Sequence, residues 1–154
     1  MDICIIQQPN IMIMSLTHEH IRIVKKTWRI FRSVDPVIVA DTFYSKLFND
    51  TPSLRSMFPK NMQQQYLKLM DMLSTLIARL DNLQSLVPEI KAMADRHVQY
   101  GVRPAYYKLV GKALLWTLQK GLGKDWNEEV KEAWEKCYTT LANTMIASTE
   151  EATH

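Results

Sequence analysis

An imidazole on the apolar face of a helix is either a hydrogen-bonded part of the core or a metal ligand, and His97 holds such a place. It shares a stripe with Ile90, Met93 and Ala94, one helical turn beyond Met93. Position alone puts the core reading first, because buried imidazoles usually find a hydrogen-bond partner. Two other polar-headed residues lie on or beside apolar stripes. Tyr44 stands next to the Val39, Phe43, Leu47 row and reads as a core aromatic, and Gln65 shares a face with Leu69 and Leu76 and reads as a helix-start residue.

Other chemistry-bearing residues do not assemble into sites. His18 and His20 are two apart, so they project to different sides of a helix rather than forming an i, i+4 metal pair. Cys4 and Cys137 have neither metal-ligand spacing nor the density of a disulfide framework, which suits a reducing, cytoplasmic compartment. The nine methionines fall mostly on apolar stripes and read as core filler.

The elements that must position these residues are helical throughout. Thr17 caps a first helix whose face carries Ile21, Val24, Trp28 and Phe31. Asp35-Pro36 starts a second, and Thr51-Pro52 repeats that signal for a very short helix with Leu54, Met57 and Phe58. A longer segment runs from Gln65 to Leu80, where Asp81-Asn82 interrupts it. The next spans residues 86–99, with Pro88 in its first turn. Pro104 starts a long helix closed by Gly121 and Gly123, and Asp125 with Glu128 forms a capping box for the last. About seven helices result, and their uneven lengths and proline corners favour steep crossings over an up-and-down bundle.

The chain of 154 residues, 47% hydrophobic, suits one domain with one core. A net charge of +3, without a basic run, is no nucleic-acid footprint. Residues 1–14 hold two short apolar runs broken by Gln7, Gln8, Pro9 and Asn10, too short for a membrane span and poor as a signal peptide. The expected organisation is a flexible extension over residues 1–16 and a folded domain over 17–154.

From Trp28 onward, FYSKLF (43–48), TPSLRSMF (51–58), NLQSLVPEIKAMADRHVQYGV (82–102), YYKLVGKALL (106–115) and AWEKCYTTLAN (133–143) carry a likeness over nearly all of the chain after residue 16. In these the sequence resembles the globin family, nearest to flavohaemoglobin globin domains and single-domain bacterial haemoglobins, with neuroglobin more distant. The resemblance implies an all-α globin fold, three helices on three, around haem b.

It also implies roles. His97 becomes the proximal iron ligand, Phe58 the phenylalanine wedged on the porphyrin, and Tyr44, Gln65 and Leu69 the distal residues. A phenol and a carboxamide both donate hydrogen bonds to a dioxygen with partial negative charge, which slows its release. With glutamine where many globins have a second histidine, five-coordinate ferrous haem is expected. Lys68 reaches a haem propionate or stays solvated. On the proximal side, Tyr107 and Glu151 match a tyrosine and glutamate that support the histidine in flavohaemoglobins; Glu150 is adjacent, and a solvated tail is an equal reading.

The implied function is reversible oxygen binding, with nitric oxide dioxygenation as the chemistry on bound oxygen. Dioxygen, nitric oxide and carbon monoxide are the expected ligands. Flavohaemoglobins continue into flavin- and nicotinamide-binding domains beyond the point matching His154, so a separate reductase is the expected partner. The alternatives are an oxygen carrier, store or gas sensor without turnover. A ferric peroxidase reading meets the lack of a distal histidine and arginine pair, and a cofactor-free helical module would leave His97 and its apolar pocket without a purpose.

Overall fold

A computed structural model describes residues 16–152, with side chains through Thr149; the greater part of the expected N-terminal extension lies outside the described residues. Six α-helices form the described chain: α1 (His18–Phe31), α2 (Pro36–Asp50), α3 (Gln63–Ala78), α4 (Val87–Gln99), α5 (Tyr106–Leu122) and α6 (Glu128–Ala152). The very short helix expected after Thr51 is a 3-10 segment, Pro52–Met57, which brings the helices to seven. Another 3-10 segment, Leu80–Leu86, leads directly into α4 and is kinked at Asn82, where the sequence pattern breaks.

Local chemistry explains most of the helix starts. Thr17 Oγ1 accepts from the His20 backbone N–H over 3.0 Å, and His20 Nδ1 accepts in return from the Thr17 backbone. His20 therefore serves as a capping residue rather than a metal ligand. Asp35 Oδ1 accepts from the Val37 N–H over 2.8 Å, with Pro36 in the first turn of α2.

Two expectations change. The cap of α6 is Asn127, whose Oδ1 accepts from the Val130 N–H over 2.9 Å, while Asp125 ends a 3-10 turn. Gly121 does not close α5 but lies inside it, because the Phe31 ring packs there; a Cβ would stand 2.2 Å from Phe31 Cε2. The helix closes at Gly123, whose φ of +52° suits glycine. Gly111 admits Tyr138 of α6 in the same way.

The core joins two packed layers. α1 and α4 lie on α6, while α2 lies on α5 and α3. Trp28 and Trp134 meet across α1 and α6 with ring centroids 6.2 Å apart. The Trp134 indole donates to buried Thr27 Oγ1 over 2.9 Å, satisfying a polar atom that burial would otherwise penalise. The helix bearing Gln65 (α3) and the helix bearing His97 (α4) pack on other helices and hardly on each other. No described helix is long and apolar enough to cross a membrane.

Candidate functional site

Tyr44 is the centre of an aromatic cluster. It sits midway along α2, 4% exposed, with its ring 4.9 Å from Phe43, 5.4 Å from Phe58, and 5.8 Å from both Phe48 and Tyr66, centroid to centroid. Gln65, in the first turn of α3, donates from Nε2 to Tyr44 Oη over 2.9 Å. Burial pushes the Tyr44 phenol above its ordinary pKa, and the Gln65 donation pulls the other way without overcoming it. The hydroxyl stays protonated near neutral pH. With Gln65 occupying its acceptor side, its own proton is free to be donated elsewhere.

Phe58 follows the 3-10 turn and packs on Tyr44 and Phe48. Arg55, which sequence reasoning missed, holds this corner. Its guanidinium donates to the carbonyls of Phe58 (3.2 Å), Pro59 (2.9 Å) and Lys60 (3.1 Å) and lies over the Phe48 ring. The available signal was a single cation inside TPSLRSMF, but its partners are backbone atoms with no residue signature.

His97 is half-buried on α4, and its Nδ1 lies 2.7 Å from the Met93 carbonyl. A carbonyl only accepts, so Nδ1 carries the proton and Nε2 keeps its lone pair. That is the arrangement an imidazole needs to ligate a metal while its orientation is fixed from behind. Leu69 and Leu73 on α3, Met93 on α4 and Tyr107 on α5 are partly buried against the core, and Lys68 is exposed.

The Tyr107 phenol is raised by burial, and its carbonyl accepts from the Tyr138 hydroxyl. Glu150 and Glu151 fall in the last turns of α6, but their side chains lie outside the described residues. No group of three or more acidic, cysteine or histidine side chains capable of holding a metal occurs among the described residues.

A family model for globins matches residues 41–145, which include Tyr44, Phe58, Gln65 and His97. The chain belongs to the globin family. A flavohemoprotein of Vibrio cholerae is 31% identical over 134 residues, covering 85% of this chain and 34% of that protein. This globin thus spans about a third of the length of the flavohemoproteins it matches. An uncharacterised globin-like protein of Aquifex aeolicus is 32% identical over 131 residues, 85% of this chain and 92% of that protein. Among solved structures, an engineered carbene transferase from Rhodothermus marinus has a TM-score of 0.76 and 28% identity, covering 90% of this chain and 94% of that one.

The globin family implies haem, and the residues present fit it. α4 offers an imidazole with an unprotonated Nε2, the contact of α2 with α3 offers a phenol and an amide, and partly buried apolar side chains stand on the same helices.

Proposed function

We propose that this globin binds haem b between α3 and α4, holds dioxygen reversibly, and converts nitric oxide to nitrate with electrons from a reductase. The observation that carries the reading is the Gln65–Tyr44 hydrogen bond, which leaves a buried phenol proton free for a bound gas. When bound, haem supplies an iron that takes up gases and changes oxidation state.

His97 Nε2 would hold the iron, with the ring steadied through Nδ1 by the Met93 carbonyl. Phe58 would wedge the cofactor, and Arg55 keeps Phe58 in place by fixing the three carbonyls that start at that residue. Leu69 closes the distal wall one turn from Gln65, and Lys68 stands exposed where a propionate could reach it.

Tyr44 donates to dioxygen, favouring a partially negative gas over a neutral one; the bond is strong because the residue is buried. Gln65 orients the phenol. On the proximal side we assign Tyr107 and Glu151 to support of His97. The net change, nitric oxide plus dioxygen plus one electron giving nitrate, draws one electron from the reductase in each cycle. Tight retention of oxygen suits this chemistry better than delivery, which is why turnover is preferred to an oxygen carrier, store or sensor.

The test is stopped-flow kinetics on the reduced, haem-loaded protein. Oxygen should leave slowly, and mixing the oxygenated protein with nitric oxide should give nitrate with conversion to the ferric form. Cell extract should then reduce that form fast enough to sustain turnover. Rapid oxygen release together with accumulating ferric protein would move the assignment to a carrier or sensor.

A further inference from the structure

The outer face of α5 is cationic. From Arg103 to Lys124 the chain holds five cations and no carboxylate, although its overall charge is only +3, so the remainder of the chain is net negative. The cations are spaced rather than consecutive, which is why they form no basic run. Lys108, Lys112, Trp116 and Lys120 recur every fourth residue and make one ridge along α5, about 18 Å long at about 1.5 Å of rise per residue. The three lysines are exposed, and among the described residues none of them joins an ion pair. Half-buried Trp116 has two ammonium groups against its ring, Lys120 Nζ at 5.5 Å and, from α2, Lys46 Nζ at 5.1 Å. Asp50 holds Lys46 in that place over 3.2 Å.

From this arrangement we infer that the α5 ridge docks the protein reversibly on an anionic lipid surface. Two features select lipid headgroups over an acidic protein. Lysine, a compact and strongly hydrated ammonium on a flexible stem, is depleted from protein–protein interfaces, whereas at a bilayer it lays its stem along apolar surface and keeps its charge among the phosphates. An indole set between such lysines is the side chain that settles at headgroup level, with its apolar body inward. Lipid phosphates supply the negative partners that Lys108, Lys112 and Lys120 lack among the described residues. Each lysine near an anionic leaflet strengthens attachment about fivefold, so the three together favour it about a hundredfold over a neutral one. Attachment of that strength is reversible and is screened by salt. It needs no haem and is independent of the gas-binding reading. Dioxygen and nitric oxide are uncharged and favour hydrocarbon over water, so a gas-binding protein held on a bilayer meets them where they are concentrated.

The experiment sediments the full-length, haem-loaded protein with vesicles of phosphatidylcholine alone and with vesicles of equal parts phosphatidylcholine and phosphatidylglycerol, at low and at high ionic strength. The wild type should bind the anionic vesicles at low salt, leave them at high salt, and ignore the neutral ones. Neutralising two ridge lysines, Lys108→Gln with Lys112→Gln, should lower the partition about thirtyfold and leave carbon monoxide binding unchanged. Trp116→Ala should weaken attachment while keeping its salt dependence. The control removes the same charge from exposed positions on α1, Lys26→Gln with Arg29→Gln, and should bind as the wild type does. Equal losses in the two double variants would mean that net charge and not this ridge attracts the vesicles, and would overturn the inference. So would failure of the wild type to bind anionic vesicles at low salt, a result that would turn the ridge over to an acidic protein partner and leave the gas-binding reading standing.

Discussion

Replacing Tyr44 with phenylalanine isolates a single hydroxyl. The ring contacts to Phe43, Phe48, Phe58 and Tyr66 depend on the aromatic body and survive the change. What is lost is the donor proposed for dioxygen and the acceptor for Gln65 Nε2. A hydrogen bond to a charged or strongly polarised partner contributes about 1.5–3 kcal/mol. At about 1.4 kcal/mol per tenfold in rate, oxygen dissociation should accelerate roughly ten- to a hundredfold. Carbon monoxide, which carries little charge when bound, is the internal control, and its dissociation should change far less. Gln65→Leu should give a smaller acceleration, and the double variant less than the sum, because Gln65 acts partly by orienting Tyr44. Oxygen displacement by excess carbon monoxide in a stopped-flow instrument reads both constants. Equal acceleration of the two gases would mean that packing changed, and an unmoved oxygen rate would mean that the phenol does not face the ligand. Either result refutes the distal argument.

Three other substitutions or conditions test different parts of the molecule. His97→Ala should abolish stable haem uptake, restored in part by added imidazole, while the apoprotein melts nearly as before, since a half-buried hydrogen bond to Met93 is worth only about 1 kcal/mol. Gly121→Ala forces the Phe31 ring off its seat; overpacking of this kind costs about 1–3 kcal/mol, against about 1 kcal/mol gained in helix propensity, so urea unfolding should show modest net destabilisation. Burial raises the Cys137 thiol from 9.0 to about 12 and also raises the Tyr44 and Tyr138 phenols. These groups bind protons more tightly in the folded than in the unfolded chain. The stability they contribute is therefore complete below about pH 9 and falls as pH rises toward 12, by up to about 1.4 kcal/mol per pH unit for each group in its window. Urea titrations on both sides of that window should show the fall, and Cys137→Ala should make it shallower.

The helix starts were legible where cap and helix share a few residues, as at Thr17 and at Asp35-Pro36. Legibility failed where a distant contact decides. Asp125 and Asn127 are both good cap residues two positions apart, and half-buried Trp126 between them packs against the core, so the choice is not made by the local string. Gly121 looked like a stop because nothing near it in sequence announces Phe31, ninety positions earlier. The same division holds in the site. The stripe bearing His97 could be read directly, since its supporting carbonyl is one turn away, whereas Arg55 could not, because carbonyls leave no mark in a sequence.

Gln65 and Tyr66 show how much one helical step can separate. Consecutive residues on a helix project about 100° apart, so when α3 lies against α2 one side chain reaches the Tyr44 hydroxyl while the next crosses the face of its ring. The hydrogen bond to the Tyr44 hydroxyl and the stack leading to Asp41 thus arise from a single packing contact. Any change that slides α3 along α2 should disturb both together, but Tyr66→Phe and Asp41→Asn touch only the outward branch. Comparing oxygen dissociation in those two variants with that in Tyr44→Phe therefore asks whether the outward stack also steadies the phenol or is packing alone.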